Sequence, residues 1–197
     1  MNFTENEVYH IYNRGNNSQK IFYDRDNYLY FLKLVQKFFF PYCNILARAL
    51  MPNHFHFMIH ANEKSVRYLP NKQIPLQQLS ESVRLLLSNY TKAINHRYNL
   101  KGSLFQQKTK SKNLYDGKMN YAEQAFNYIH QNPVKAGLCD EMHDWEFSSY
   151  RDYAGLRNGK LCNKDLAVRL LNVPIENFDA YSKSFAEINL INTGLIM

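Results

Sequence analysis

Hydrophobic and polar positions follow two rhythms along the 197-residue chain. Val8 to Asn13 is a short run of strand-forming residues closed by the turn cluster Arg14-Gly15-Asn16-Asn17, and it predicts a first strand. From Asp24 the period lengthens to that of a helix. Tyr28, Phe31, Leu32, Val35 and Phe39 make one apolar stripe, while Asp24 and Asp26 sit where the helix dipole favours acids. Asn44–Met51 and His54–His60 return to the strand rhythm, with Met51-Pro52-Asn53 as the turn of an antiparallel hairpin. A polar linker then leads to Pro75, which suits a first helical turn, and Leu79, Val83, Leu86, Tyr90 and Ile94 carry a second long helix to the neighbourhood of Asn99. Ser103–Leu114 reads as an extended edge segment, and Met119 to Asn132 as a third helix.

The order β-α-β-β-α-β followed by a helix is that of the ferredoxin-like split βαβ plan in the α+β class: an antiparallel sheet with two helices on one face. The other face is expected to be free for a site. Two weaker helical patterns, Lys164–Leu171 and Phe178–Ile188, mark a helical C-terminal tail. The chain is accordingly divided into a main domain, 1–140, and an accessory segment, 141–197.

Composition narrows the class. Hydrophobic residues at 45% and charged residues at 21% are globular proportions, and no apolar run approaches the ~20 residues of a membrane span, so disorder and a membrane protein are both disfavoured. The N-terminus lacks a basic segment followed by an apolar one, so a cytoplasmic protein is expected. The net charge of +7 raises a polyanionic partner. Aromatic residues at 15% suit base stacking or a core equally well. Cys43, Cys139 and Cys162 are odd in number and far apart, which speaks against a disulfide framework or a cysteine zinc site.

The most informative triplet is His54-Phe55-His56. Residues i and i+2 of a strand project from the same face, so the two imidazoles are based ~6–7 Å apart and can converge on one metal ion. His60 shares their parity but lies about 13 Å from His56, too far to join them. Phe55, Phe57 and Ile59 point the other way, giving a strand apolar behind and ligand-rich in front. Two half-buried polar strand histidines would show the same pattern. On the third helix, Met119, Ala122, Phe126 and Ile129 make the apolar stripe, and Tyr128 points roughly 140° away from it. Asn132 and Gln131, four and three positions on, each stand beside the phenol on an ideal helix. A surface tyrosine is the plainer alternative. Lys108, Lys110 and Lys112 share one side of the edge segment, as a solvated edge or as phosphate contacts.

MPNHFHFMI, YHIYNRG near the start, GSLFQQKTKS and YIHQNPVKAGL together resemble the single-tyrosine HUH transposases, and within them the REP-associated tyrosine transposases. The resemblance spans Tyr9 to Leu138, with a weaker echo in WEFSSYRDYAG. It implies that His54 and His56 hold a divalent metal, Mg²⁺ or Mn²⁺, and that Tyr128 is the catalytic nucleophile. It also implies an amide as third ligand at Asn132; because the residue before Pro133 is pushed away from helical geometry, Gln131 stands as the alternative. The implied activity is that of a DNA strand transferase and nicking endonuclease. It would cut and rejoin single-stranded hairpin-bearing DNA through a 5′-phosphotyrosine intermediate, acting as a monomer or homodimer in the bacterial cytoplasm. With that substrate Lys108, Lys110 and Lys112 become phosphate contacts, joined by Arg14 beside the first strand and Arg48 on the strand paired with the histidines. Two other readings are a non-catalytic single-stranded nucleic-acid-binding module and a replication or relaxase-type HUH nuclease.

Overall fold

In the computed structural model, which describes residues 1–70, 72–115 and 121–185, the strand rhythm resolves into β1 (Val8–Arg14), β2 (Asn44–Met51), β3 (His54–His60) and β4 (Lys110–Asn113). They form one antiparallel sheet in the order β2-β3-β1-β4, the arrangement expected of the split βαβ plan. The β2–β3 hairpin turns on Pro52 and Asn53, with Met51 registered opposite His54. The Pro52 carbonyl accepts from the backbone of Ile21 at 2.7 Å and of Phe22 at 3.0 Å, which ties the entry to the first helix onto the hairpin. Gly15 is needed at the end of β1, because a Cβ there would sit 2.1 Å from the Gln19 carbonyl oxygen.

Helix α1 (Arg25–Leu34) starts where Asp24 accepts from the Asn27 backbone, and it continues into a π turn at Val35–Phe39. The stretch expected as a linker holds a short helix, α2 (Glu63–Val66), closed by a capping box between Asn62 and Ser65. Helix α3 (Gln78–Tyr98) begins after Pro75, so the proline lies outside its first turn. Gln77 marks the start instead: its side chain accepts from the Phe3 backbone at 2.7 Å and donates to the Phe3 carbonyl at 2.9 Å. Asn99 ends α3 in the left-handed conformation. The apolar stripes of α1 and α3 bury Phe31, Leu34, Val83, Leu86 and Tyr90 against Phe55, Phe57 and Ile59 of β3.

The opposite face of the sheet is covered, contrary to the expectation of a free surface. Helix α4 (Tyr121–Lys135) lies over β2 and β3, α5 (Tyr150–Tyr153) and α7 (Phe178–Ser184) pack behind it, and α6 (Lys164–Leu171) lies against β2. Phe126 makes edge-to-face contacts with Tyr153 and Phe178, at 4.9 and 6.2 Å between centroids. With the sheet on one side and the C-terminal segment on the other, α4 is buried around most of its circumference. Tyr128, expected off the core face, is therefore buried too. Met119, placed at the start of this helix by its periodicity, lies outside the described residues.

The same segment closes the outer edge of β2. Ser149 donates from its backbone to the Arg48 carbonyl at 2.9 Å, Leu50 to Phe147 at 3.1 Å and Asn163 to Ile45 at 2.8 Å, so backbone groups that an edge strand leaves open are paired. Behind this seam a carboxylate is held between two guanidiniums. Arg157 donates to Asp152 at 2.6 and 3.0 Å, and Arg48 lies 4.0 Å from the same carboxylate.

The extended segment 103–114 pairs only in part. Between the bridge Gly15–Phe105 and the pair Tyr12–Lys110, the outer chain carries two more residues than β1 does. The Asn13 side chain takes up the slack, donating to the Gln106 carbonyl at 3.2 Å and the Thr109 hydroxyl at 2.9 Å. The expected row of three lysines is broken as a result. Lys110 and Lys112 share a face of β4, and Lys108 sits in the bulged stretch.

Candidate functional site

The strand alternation read from sequence holds in β3: Phe55, Phe57 and Ile59 enter the helix-covered core, and His54 and His56 project toward α4. The two imidazole centroids are 5.2 Å apart at nearly a right angle. Tyr128 stands edge-on to His56, with 5.8 Å between centroids. Asn132, one helical turn further along α4, brings its amide against both His54 and Tyr128, where it favours the charged form of each.

Helical geometry at Asn132 survives the following proline. Gln131, Asn132 and Pro133 are all buried, and this packing outweighs the local preference before proline. The helix then runs only to Lys135, so the donor that Pro133 lacks is missing from the last turns alone. Gln131 turns to the other side, with its Nε2 3.4 Å from the Ser182 carbonyl on α7. The adjacent turn does the same: Asn127 donates to the Tyr181 hydroxyl at 3.2 Å. Asn132 thus faces the histidines and Gln131 faces the C-terminal segment.

Register brings in two residues that the sequence reading did not assign. Tyr12 is paired with His56 and Arg14 with His54, and His10 lies diagonally beside His56. His10 Nε2 is 2.8 Å from His56 Nδ1, and the rings stack with 4.9 Å between centroids. The Tyr12 ring stacks on His56 with 5.8 Å between centroids and lies tilted against His10 at 4.7 Å. The i, i+2 spacing of His10 and Tyr12 on a predicted strand was a usable signal. Lys135, seven positions after Tyr128 on the same helix, was also missed; its Nζ lies 5.9 Å from the Tyr128 ring centroid.

Burial dominates the electrostatics. It holds the His56 pKa well below the ordinary imidazole value, helped by His10 and His54, and pushes His10 down to about 3 with a smaller contribution from Lys112. His54 is lowered to about 4 by burial and the nearby Arg14. All three are neutral near pH 7, the form in which imidazole ligates a metal. The Tyr128 phenol is pushed up by burial and drawn partly back by Asn132.

The donor set suits a divalent ion. His56 Nε2 is buried without a partner among the described residues, and His54 Nδ1 is 2.6 Å from the Asn53 side-chain oxygen, which leaves its Nε2 as the lone-pair nitrogen. Among the described residues no three His, Cys, Asp or Glu side chains form a ready metal cluster. Two imidazoles and an amide would leave the rest of a divalent ion's shell to oxygen ligands.

The basic residues divide into three settings. Arg14, Lys110 and Lys112 flank the histidines: Lys110 and Lys112 are registered opposite Tyr12 and His10, and Lys110 Nζ lies 5.8 Å from the Tyr12 ring centroid. Lys108 lines a separate groove of about 840 Å³ between α3 and residues 102–109, together with Arg84, Lys92 and Asn95. Arg48 does not reach the surface. It is buried with its Nη1 donating to the Phe147 carbonyl at 3.0 Å, so its guanidinium fastens the C-terminal segment and is not presented to phosphate. Among the described residues no helix is long and apolar enough to cross a membrane.

No protein-family model matches the chain, and no curated protein matches it in sequence. Solved structures do match. The fold is similar to that of a REP-associated tyrosine transposase bound to a REP hairpin, with a TM-score of 0.58 at 20% identity, covering 80% of this chain and 86% of that one. Weaker likenesses link it to a bacterial tRNA(His) guanylyltransferase-like protein. Its complex with GTP matches at a TM-score of 0.40 and 8% identity over 70% of this chain and 69% of that one, and its complex with ATP at 0.40 and 9% over 73% and 66%. The likeness to the first of these structures extends over the α+β fold that the order of elements along the sequence predicts.

Proposed function

We propose that this chain is a metal-dependent strand transferase that cuts and rejoins single-stranded, hairpin-bearing DNA through a covalent tyrosine intermediate. The observation that carries the reading is the meeting of Tyr128 and Asn132 on α4 with His54 and His56 on β3, where one imidazole nitrogen is buried and bare. The solved neighbour, a transposase bound to a hairpin, supports the same substrate class. The net charge of +7, with Arg14, Lys110 and Lys112 beside the site, supports a polyanionic partner.

His54, His56 and Asn132 would hold the ion. A divalent cation, Mg²⁺ or Mn²⁺, supplies when bound the positive charge that polarises a phosphodiester. Tyr128 is the nucleophile: its oxygen attacks phosphorus, a Tyr–O–P bond forms, and the bond from phosphorus to the 3′ oxygen breaks. The phenol releases its proton to solvent, and the departing 3′ oxygen takes one up. Because burial keeps the phenol protonated at rest, the reaction depends on groups that favour its anion. Asn132 does so directly, and the Lys135 ammonium lies on the same side of the helix. Arg14, Lys110 and Lys112 hold the flanking phosphates.

The test is incubation of the protein with a hairpin-bearing single-stranded oligonucleotide and Mn²⁺, followed by denaturing electrophoresis. The wild type should yield a covalent protein–DNA species that chelator suppresses, and Tyr128→Phe should bind the oligonucleotide without yielding it. Binding with no adduct from the wild type would identify a non-catalytic nucleic-acid module.

A further inference from the structure

The His10–His56 contact has no role in the chemistry described so far, although it is the most buried polar pair in the sheet. Both rings are fully buried, and His10 Nε2 and His56 Nδ1 are 2.8 Å apart in nearly parallel planes. Only one proton fits between two nitrogens at that distance, and its position decides what the rest of each ring does. If His56 Nδ1 carries it and donates to His10, then His56 Nε2 is a free lone pair and the His10 proton resides on Nδ1. If His10 Nε2 carries it and donates to His56, then His56 Nε2 is itself protonated and cannot ligate a cation. His54 meets the same requirement by a different route, through the Asn53 side-chain oxygen, which can only accept from an imidazole nitrogen.

We infer that His10 is a positioning residue: by accepting the His56 Nδ1 proton it fixes His56 in the tautomer that turns a bare Nε2 to the metal. The inference rests on the metal site proposed above. Three observations support it. The contact joins β1 to β3 along a diagonal, so the pairing of Tyr12 with His56 and Met58 with His10 sets it without any loop. Tyr12 packs against both imidazoles and limits ring rotation. The nitrogens of the pair left without partners among the described residues are His10 Nδ1 and His56 Nε2, the two whose protonation the shared proton decides.

The experiment has two independent readouts. In metal-free, ¹⁵N-histidine-labelled wild type near pH 7.5, long-range ¹H–¹⁵N spectra should show His56 protonated on Nδ1 and bare on Nε2. Protonation on Nε2 would overturn the inference, and this measurement needs no variant to fold. In the second readout, Mn²⁺ affinity is measured by electron paramagnetic resonance for the wild type, His10→Phe, His10→Gln and His54→Ala. His10→Phe should bind Mn²⁺ about 10- to 100-fold more weakly, the usual loss on removing an outer-sphere partner, and His10→Gln should recover most of the loss because its amide oxygen can accept the same proton. Wild-type affinity in His10→Phe, alongside a loss in His54→Ala, would refute the role of His10 and leave the metal site standing. Equal binding by the wild type and His54→Ala would instead remove the metal site, and the inference with it.

Discussion

His130 makes the junction between α4 and the C-terminal segment sensitive to acid. The ring is fully buried, its Nε2 is 2.7 Å from the Ser149 hydroxyl, and Phe126, Tyr150, Tyr153 and Phe178 surround it. Burial, with a smaller contribution from the Arg48 guanidinium, lowers its pKa from 6.5 to about 3. The unfolded chain therefore takes up a proton near pH 6.5 that the folded protein refuses. The stability contributed by a neutral His130 is complete above that value and is lost as pH falls from about 6.5 toward 3. Between pH 7 and pH 5 the cost is about 2 kcal/mol, which for a chain of this size lowers Tm by roughly 4–8 °C. His130→Gln keeps a polar group of similar reach that does not titrate. Urea titrations followed by circular dichroism should show the wild type losing about 2 kcal/mol more than His130→Gln between the two pH values. Other buried histidines contribute equally to both proteins and cancel in the difference. Equal losses would mean that the folded protein accommodates the imidazolium, and the argument from burial would fail.

The two amides at the end of α4 should behave differently. Asn132→Ala should weaken Mn²⁺ binding and slow cleavage, whereas Gln131→Ala, which removes a contact to Ser182, should leave the metal titration near wild type and affect stability only; the reverse ranking would move the ligand role to Gln131. Salt dependence of oligonucleotide binding tests the division of the lysines. Replacing Lys110 and Lys112 together by Gln should flatten the logarithmic slope by about 1.4, from about 0.7 per phosphate, and Lys108→Gln should leave it unchanged, because Lys108 lies in the separate groove. A change on replacing Lys108 alone would place nucleic acid in that groove.

What the sequence made legible was local and periodic. The alternation of His54 and His56 with Phe55, Phe57 and Ile59 gave both faces of β3, and the Asp24 cap and the turn at Pro52 marked boundaries that the structure retains. What it hid depends on contacts between distant segments. His10 meets His56 across 46 positions, and nothing in either strand specifies the register that brings them together. Tyr128 looked peripheral because the stripe of α4 through Phe126 and Ile129 was read as the only buried face; α5 and α7 pack against Phe126 on that stripe, and the distant strands β1 and β3 give the helix a second buried face, where Tyr128 meets His10 and His56. Arg48 looked like a phosphate ligand for the same reason. Its partners, Phe147 and Asp152, come from a segment about a hundred residues later that closes the β2 edge. Pro133 misled in the opposite direction, since a local preference against helix before proline yields to burial of the residues on either side of it.

The central claim is that Tyr128, and no other tyrosine, becomes joined to DNA. Tyr12 and Tyr121 also lie near the histidines and lysines of the sheet, so the test must identify the residue. The wild type is incubated with Mn²⁺ and a hairpin-bearing single strand, then digested with protease and nuclease, and the peptide that retains a nucleotide is sequenced by mass spectrometry. The account predicts a single modified peptide containing YIHQNPVK, with the 5′ phosphate of the downstream fragment on Tyr128. A nucleotide on Tyr12 or Tyr121, or cleavage that leaves no modified peptide, would contradict it.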